Sequence, residues 1–528
     1  NLMDKEEFMN SLSEGVVVLG GCGTVGSLIA RILACHNIDV TIIDSAPDSY
    51  LTPIFKKEGI HLKLGEELDN DSFKGKSAIF VAPSLLKNDY FTTKLHNFNK
   101  KNLPVYSIEE ILEFFLPNKP VIGVTGTNGK TTTTHTIKHI FKINNYKVPE
   151  HGLRIQGNSE FIPALQSRLE GDLAVLEIGT FGRKGEIKRS ATNSHVNMGV
   201  ITNITRDHLN NGSFEDYINC KKEMVEVADT LILDGDDPLL YSIGSKHPEK
   251  KIHYFGIKDR DNDLFKSKYN NRHCPSCGKL LNYNVSYLRN LGEYECECGF
   301  KNPKLDVYAT NIRIIKEGNT TKTKYTIHFD DETRDITLKN SGIHNVYNSL
   351  GSACAAWVQG LDINSIVKGL ESFGGVPGRL EYIHSNPTMI MDYAHNPAGV
   401  ETTLNTVLKL KTEHNKIIVL NTISSESGKE GDIDIAKLLS DADVVIPVST
   451  ASGKVADFVN TNVVPIRSNI KFNKTGTTGS SPEQVREGIR LALKIAEDND
   501  IILSIGEAGV KYSKPALNKI LFENVKKQ

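Results

Sequence analysis

Residues 121–134 read VIGVTGTNGKTTTT, and the rest of the chain is read outward from them. Val121, Ile122, Gly123 and Val124 have the continuous apolar character of a strand covered on both faces. A glycine-rich turn follows (Gly126, Thr127, Asn128, Gly129), and Lys130 with Thr131, Thr132 and two more threonines opens a helix. Strand, glycine turn and helix in that order make a phosphate cradle. Backbone N–H groups and the positive end of the helix face an anion, Lys130 reaches the outer phosphates, and the Thr131 hydroxyl meets Mg²⁺. The pattern G-x-x-x-x-G-K-[ST] is missed at one place, because Val124 stands where its first glycine belongs. A solvent turn that happens to contain Gly-Lys is the competing reading.

Composition bounds what surrounds the cradle. At about 100–200 residues per domain, 528 residues suggest three or four domains. Hydrophobic content of 39% and charged content of 24% suit a globular chain. A net charge of −2 gives no basic field for nucleic acid. No apolar run reaches the ~18 residues that would insert in a membrane. The segment NLMDKEEFMN lacks the basic-then-apolar layout of a signal peptide. Four cysteines are scattered (Cys22, Cys35, Cys220, Cys354) and four are paired by spacing, which fits a reducing, cytoplasmic setting with one metal site.

Before the cradle, residues 1–117 read as a Rossmann-like unit. The strand GVVVLG (15–20) leads into Gly21, Gly23 and Gly26, a G-x-G-x-x-G turn with Thr24 and Val25 inside it, and LIARILACH continues as a helix. The strand Val40–Ile43 ends at Asp44. Glycines for close backbone approach and an acid for a ribose hydroxyl form a dinucleotide fingerprint, for NAD or another nucleotide diphosphate. The strand AIFVAP (78–83) and a helix near 107–116 complete the unit, and Pro117–Pro120 reads as a linker.

Residues 118–375 form the predicted central domain. LAVLEIG (173–179) is a strand ending in Glu177, an acid placed to hold Mg²⁺. MGVITNITRDHLN (198–210) is a strand ending in Asn203, Asp207 and His208, and FEDYINCKKEMVEVAD is a helix carrying Lys221. In residues 376–528, the stretches 416–422, 443–449 and 500–506 read as parallel strands alternating with helices near 432–441, 482–497 and 515–526. The strand-end loops 424–432 and 505–512 lie where such a sheet binds its ligand. Residues 470–481 read as a mobile loop.

TGTNGKTT (125–132), LEIG (176–179), NITRDHL (203–209), YINCKK (217–222), GIHNVYNSLGSACAA (342–356), PGRLE (377–381) and MDYAHNPAG (391–399) occur in order. In this the chain resembles the Mur ligases, ATP-dependent amide-forming enzymes of cell-wall precursor synthesis. The resemblance implies an α/β protein of three domains with a P-loop ATPase domain in the middle. It implies that Gly126, Thr127, Asn128, Gly129, Lys130, Thr131 and Thr132 bind ATP, with Lys130 and Thr127 on the β and γ phosphates. Thr131 and Glu177 would hold one Mg²⁺ and His208 a second. Lys221 aligns with a lysine that many members carbamylate, although its neighbours Cys220 and Lys222 depart from the usual small residues. Asn345 and Asn348 would contact the nucleotide. Arg379 and Asp392 would meet ATP from the third domain, with His395 and Asn396 in the adjoining loop near the substrate, and the third domain's loops 424–432 and 505–512 would receive the amine. Gly21, Gly23, Thr24, Val25, Gly26 and Asp44 would hold a UDP-linked substrate.

Cys274 and Cys277, an 18-residue gap, then Cys296 and Cys298 suit a tetrahedral thiolate zinc site, with no ligand position left open for chemistry. This insert, at about 270–303, resembles the zinc ribbon of the MurT subunit, which works with a glutaminase, and that of archaeal pseudomurein peptide ligases. MurT-type proteins lack a separate N-terminal Rossmann domain, so the archaeal ligases fit better. The flanking stretch 306–329 alternates like paired strands. The resulting expectation is a monomeric ligase that joins an amino acid to a UDP-linked peptide precursor through an acyl phosphate. The alternatives are a MurT-like subunit taking ammonia from a partner, and a non-catalytic nucleotide-binding scaffold.

Overall fold

The computed structural model describes residues 2–154, 159–205, 213–261, 267, 270–318, 320–424, 428–448, 462–463 and 481–528. Three large sheets follow one another along the chain, an α/β arrangement in three layers of helix and sheet.

The first sheet has five parallel strands in the order His61–Leu64, Val40–Asp44, Val16–Leu19, Ala78–Val81, Val105–Tyr106. Its central strand is wholly buried and apolar, so helices cover both faces. The helix Thr24–Cys35 buries Leu28, Ile29, Ile32 and Leu33 against one face.

The second sheet has eight strands. From one edge these are Glu332–Leu338, Thr320–Phe329, Val307–Glu317, Lys251–Ile257, Thr230–Asp234, Met198–Ile201, Val121–Thr125 and Ala174–Glu177. The first three pair antiparallel, as the alternation at 306–329 predicts, and the rest run parallel. The cradle strand Val121–Thr125 is therefore next to the edge, between Ala174–Glu177 and Met198–Ile201. One face packs on Ile137, Ile140 and Phe141 of the helix Lys130–Ile143 and on the alanine-rich helix Ile343–Val358. The other packs on Tyr217 and Met224 of the helix Phe214–Val227.

The third sheet runs Glu381–Ser385, Thr388–Asp392, Ile501–Ile505, Ile417–Asn421, Val444–Pro447, Asn462–Val463, with only the first strand antiparallel. Side chains seal the first sheet's unit to the second. Arg168, 3% exposed, donates to the carbonyls of Leu112 (2.9 Å) and Asn193 (2.7 Å). Arg31 donates to those of Glu150 (3.1 Å) and His151 (3.0 Å).

Three expectations need correction. The strand at 198 stops at Ile201 rather than reaching Asn203, because Thr202 and Asn203 turn their side chains to the carbonyl of Asn128. The last helix starts at Glu507, not near Pro515, which lies inside it. Its start is fixed by Gly509 N, which donates to Thr422 Oγ1 at 2.9 Å. For the same reason 505–512 is the end of a strand and the opening of a helix, not a loop, and the stretch 424–432 is already helical from Gly428. The loop expected at 470–481 lies, up to residue 480, outside the described residues. Among the described residues, no helix is long and apolar enough to cross a membrane.

Candidate active site

The carboxyl ends of the second sheet's parallel strands make the site. The helix Lys130–Ile143 has Gly129 as its N-cap, with no side chain closing that end. Its first-turn N–H groups are left for an anion. Gly129 has a φ of +85°, and a Cβ there would fall 2.3 Å from Asn348 Oδ1, so only glycine fits. The turn is braced from one side. Asn203 Oδ1 accepts from Asn128 N (3.0 Å), while Asn203 Nδ2 (2.8 Å) and Thr202 Oγ1 (2.7 Å) donate to the Asn128 carbonyl. Thr127 Oγ1 accepts from Thr205 N at 3.0 Å.

Thr131 Oγ1 donates to Glu177 Oε1 at 2.9 Å. Adjacent elements of one sheet thus bring a hydroxyl and a carboxylate together beside the cradle. Hard oxygen donors next to a phosphate site are what Mg²⁺ requires, so these residues fit the ion. Asn345 and Asn348 project from the helix Ile343–Val358. Thr133 Oγ1 donates to Asn348 Oδ1, and Asn348 Nδ2 to Asn345 Oδ1, both at 3.3 Å.

The third sheet supplies the opposite wall. Asp392 ends the strand Thr388–Asp392, is 4% exposed, and accepts from Leu380 N (2.8 Å), Ala394 N (2.8 Å) and Thr403 Oγ1 (3.0 Å). It organises the loops carrying Arg379 and His395. The Arg379 guanidinium lies 4.9 Å from the Tyr393 ring centroid. Asn396 caps the helix Pro397–Leu408 and exchanges two amide bonds with Asn128, donating at 2.9 Å and accepting at 3.2 Å. The cradle and the third sheet's unit touch through that pair.

Between them is a cavity of about 400 Å³ bordered by Lys130, Glu177, Asn345, Asn348, Arg379 and Asp392. Ser424 and Glu507 border it too, at the two strand ends expected to receive an amine. Lys221 does not. It is fully buried under the cradle, where Nζ donates to the Gly126 carbonyl (3.0 Å) and to Thr125 Oγ1 (3.3 Å). His208 lies outside the described residues.

Among the lining residues given no role by the sequence, two groups stand out by their chemistry. His344 sits within the quoted 342–356 stretch. Its ring is half-buried beside the cavity, and the buried Nδ1 has no hydrogen-bond partner among the described residues. Burial pushes its pKa down to about 4, against the pull of Asp392, so the imidazole is neutral at pH 7. The other group is Leu288, Arg289 and Leu291, at the turn between the strands Asn282–Leu288 and Leu291–Glu295. Two alternating runs around Arg289-Asn290 were the available signal for that hairpin.

The four paired cysteines converge. Sγ of Cys274 is 3.7 Å from that of Cys298, and Sγ of Cys277 is 3.4 Å from that of Cys296. All four sulfurs lie within 4.8 Å of one another. A tetrahedral zinc site with bonds of about 2.3 Å has sulfur–sulfur edges of about 3.8 Å, so the cluster fits that ion. In the first sheet's unit, a Cβ on Gly26 would fall 2.1 Å from the Gly20 carbonyl oxygen, which explains that glycine. Gly23 caps the helix Thr24–Cys35 without a side-chain bond, leaving the Thr24 and Val25 end open. Asp44 accepts from Cys22 N and Ala46 N, each at 2.9 Å, so its carboxylate braces the glycine turn.

Comparison with known proteins agrees with this geometry. Residues 124–287 match the Mur ligase middle domain, and residues 378–508 the Mur ligase glutamate ligase domain. A solved pseudomurein peptide ligase type C from Methanothermus fervidus is 47% identical, with 96% of this chain and all of that one covered at a TM-score of 0.87. The UDP-N-acetylmuramate–L-alanine ligase of Caldicellulosiruptor saccharolyticus is 27% identical over 93% of this chain and 96% of its own length. The MurT subunit of the lipid II isoglutaminyl synthase of Staphylococcus aureus is 28% identical over 60% of this chain and 71% of its own. Near half identity to a solved ligase across its full length, with both family regions in sequence order, means that this chain belongs to the Mur ligase family.

Proposed function

We propose that the chain is an ATP-dependent ligase that joins an amino acid to a UDP-linked peptide precursor of pseudomurein, in the cytoplasm. The observation that carries the reading is the single cavity in which the cradle and the third sheet's unit meet, linked by Asn128 and Asn396. The full-length likeness to a pseudomurein peptide ligase supports the choice of wall polymer.

In this reading the N–H groups around Gly126–Thr132, with Lys130 and Thr127, hold the β and γ phosphates. Thr131 and Glu177, and His208 for a second ion, would hold Mg²⁺, which when bound offsets charge on the phosphoryl group in flight. A substrate carboxylate oxygen attacks the γ phosphorus, the bond to ADP breaks, and an acyl phosphate results. An amine that has given up its proton attacks the acyl carbon, and phosphate leaves with the electron pair of the broken C–O bond. Arg379, aimed at the cavity from the third sheet, draws off negative charge as it develops. Asn345 and Asn348 hold the nucleotide, and Asp392 keeps Arg379 and His395 in place. Lys221 supports the cradle by donating to Gly126. Gly21–Gly26 and Asp44 shape the seat of the UDP diphosphate, and zinc on the four cysteines is structural.

The domain boundaries we propose are 1–117, 118–375 and 376–528, with the ribbon at about 270–303. They are supported by the linker at 117–120 and by the way each large sheet falls within one of them.

The test is phosphate release across a matrix of UDP-linked acids and amino acids, with product masses. Release that needs both substrates is expected, and Lys130→Ala turning over as fast as wild type would overturn the scheme. The MurT-like reading is favoured by the cysteine ribbon and the MurT relative. Turnover sustained by ammonia, and by no amino acid, would decide for it.

A further inference from the structure

We propose that the turn Leu288–Leu291 of the cysteine ribbon is a latch that holds the third sheet's unit closed over the nucleotide cavity, with Arg289 as the positioning residue. This rests on the ATP site proposed above.

The turn is built to hold a fixed place. Asn290 has a φ of +60° and is 5% exposed. Its N–H donates to Asn270 Oδ1 (2.8 Å), its Nδ2 to Asn271 Oδ1 (2.9 Å), and its Oδ1 accepts from Asn271 N (2.9 Å). Side chains of the segment leading to Cys274 therefore clamp the hairpin tip. The hairpin is also bolted to the second sheet. Tyr294 hydroxyl donates to the Gly235 carbonyl at 2.9 Å, and Gly292 N to the Asp236 carbonyl at 3.1 Å. Asp236 Oδ2 in turn accepts from the Tyr347 hydroxyl at 2.7 Å, and Tyr347 lies between Asn345 and Asn348 on the same helix. The ribbon and the residues facing the nucleotide thus form one connected body.

From this body Arg289 reaches across. Its Nη2 meets Asp434 Oδ2 at 2.6 Å, with side chains 10% and 27% exposed. Asp434 is on the helix Gly428–Leu439 of the third sheet's unit. The charge of Arg289 also acts on Glu401, 3% exposed, on the helix Pro397–Leu408. One acid of that unit thus pairs with the guanidinium, and a second feels its charge. Its Nη1 is buried and has no partner among the described residues, beside the cavity that Arg289 borders. This partly buried pair is costlier to break by removing one partner than an exposed one, which is what a latch requires. Leu288 and Leu291 on either side give the cavity apolar wall, so the same turn both grips the neighbour and encloses the ligand.

The test is amide hydrogen exchange of the 286–292 and 393–400 segments in the full chain, with and without a non-hydrolysable ATP analogue. Asp434→Asn is the key variant, since Asp434 does not border the nucleotide cavity. We expect faster exchange in both segments without nucleotide, and about tenfold more analogue needed for protection, the size of a typical coupling between contacting charges. The charge swap Arg289→Asp with Asp434→Arg should recover part of the protection. Unchanged exchange in Asp434→Asn, or a swap no better protected than either single variant, would overturn the latch. If the analogue protects nothing in wild type, the ATP reading fails instead, and the latch is then judged on the exchange rates without nucleotide.

Discussion

Gly129 shows how little freedom the cradle leaves to a single side chain. Its left-handed φ and the nearness of Asn348 mean that one added carbon meets both a strained backbone and an occupied space. Gly129→Ala is expected to cost about 1–3 kcal/mol of stability in thermal unfolding, the cost of a strained backbone well. It should also abolish ADP binding in calorimetry, because the N–H groups beside it would no longer converge on one point. ADP binding at the wild-type level would show that the turn accommodates the methyl and that the cradle is looser than its geometry states. Lys221 illustrates the opposite case. The family resemblance marks it as a metal-side residue, and the structure adds that it is fully buried beneath the cradle and donates to the Gly126 carbonyl. Sequence order reports the kind of residue at a position but not the side of the strand from which it arrives.

Among the elements, the end of the strand Thr230–Asp234 and the loop after it bury three acids side by side. Asp234, Asp236 and Asp237 are each at most 1% exposed. Burial raises the Asp236 pKa to about 7 despite the Tyr347 hydroxyl and the Ile257 N–H that favour its ionised form. A carboxyl whose folded pKa lies above its unfolded value of 3.8 binds its proton more tightly in the folded state. It therefore lowers stability as pH climbs from about 4 to about 7, with no further change above. Asp236→Asn keeps the one oxygen that accepts from both Tyr347 and Ile257, so its unfolding midpoint should fall less across that window than the wild-type midpoint. Parallel pH profiles would refute the assignment. This loop was not legible in advance. Its sequence, DGDD, reads as a solvated turn, and the ribbon docking through Tyr294 and Gly292, with Tyr347 and Ile257 on Asp236 and Ile204 on Asp237, takes it out of water. The strands around the cradle were legible because apolar runs next to glycine turns have few alternatives. The start of the last helix was not, because Pro515 imitates a helix N-terminus while the true start depends on Thr422, distant in sequence.

For the molecule as a whole, the cavity exists only where two units meet. Asn128 and Asn396 are 268 positions apart yet exchange paired amide bonds. No local pattern carries such a pairing, although each motif was recognisable alone, so the sequence supplied the parts of the site and the structure their closure. The pairing also bears on how the protein ages. Asn128 precedes Gly129, the neighbour that least hinders attack of a backbone nitrogen on a side-chain amide, and asparagine is among the heat-labile residues. Asn396 precedes Pro397, whose nitrogen has no hydrogen to lose and cannot make that attack. The two partners in one contact therefore have unequal chemical lifetimes. In the closed form the Asn128 amide is held by Asn396, and its backbone N–H by Asn203. Opening should expose the labile member alone. Protein stored warm without nucleotide is expected to accumulate Asn128→Asp in peptide mass spectra, and protein stored with an ATP analogue to resist it. Equal rates in both samples would mean that the closed contact gives the amide no shelter. With the expected difference, shelf life reports on domain closure, and the phosphate cradle itself records how long the enzyme has stood open.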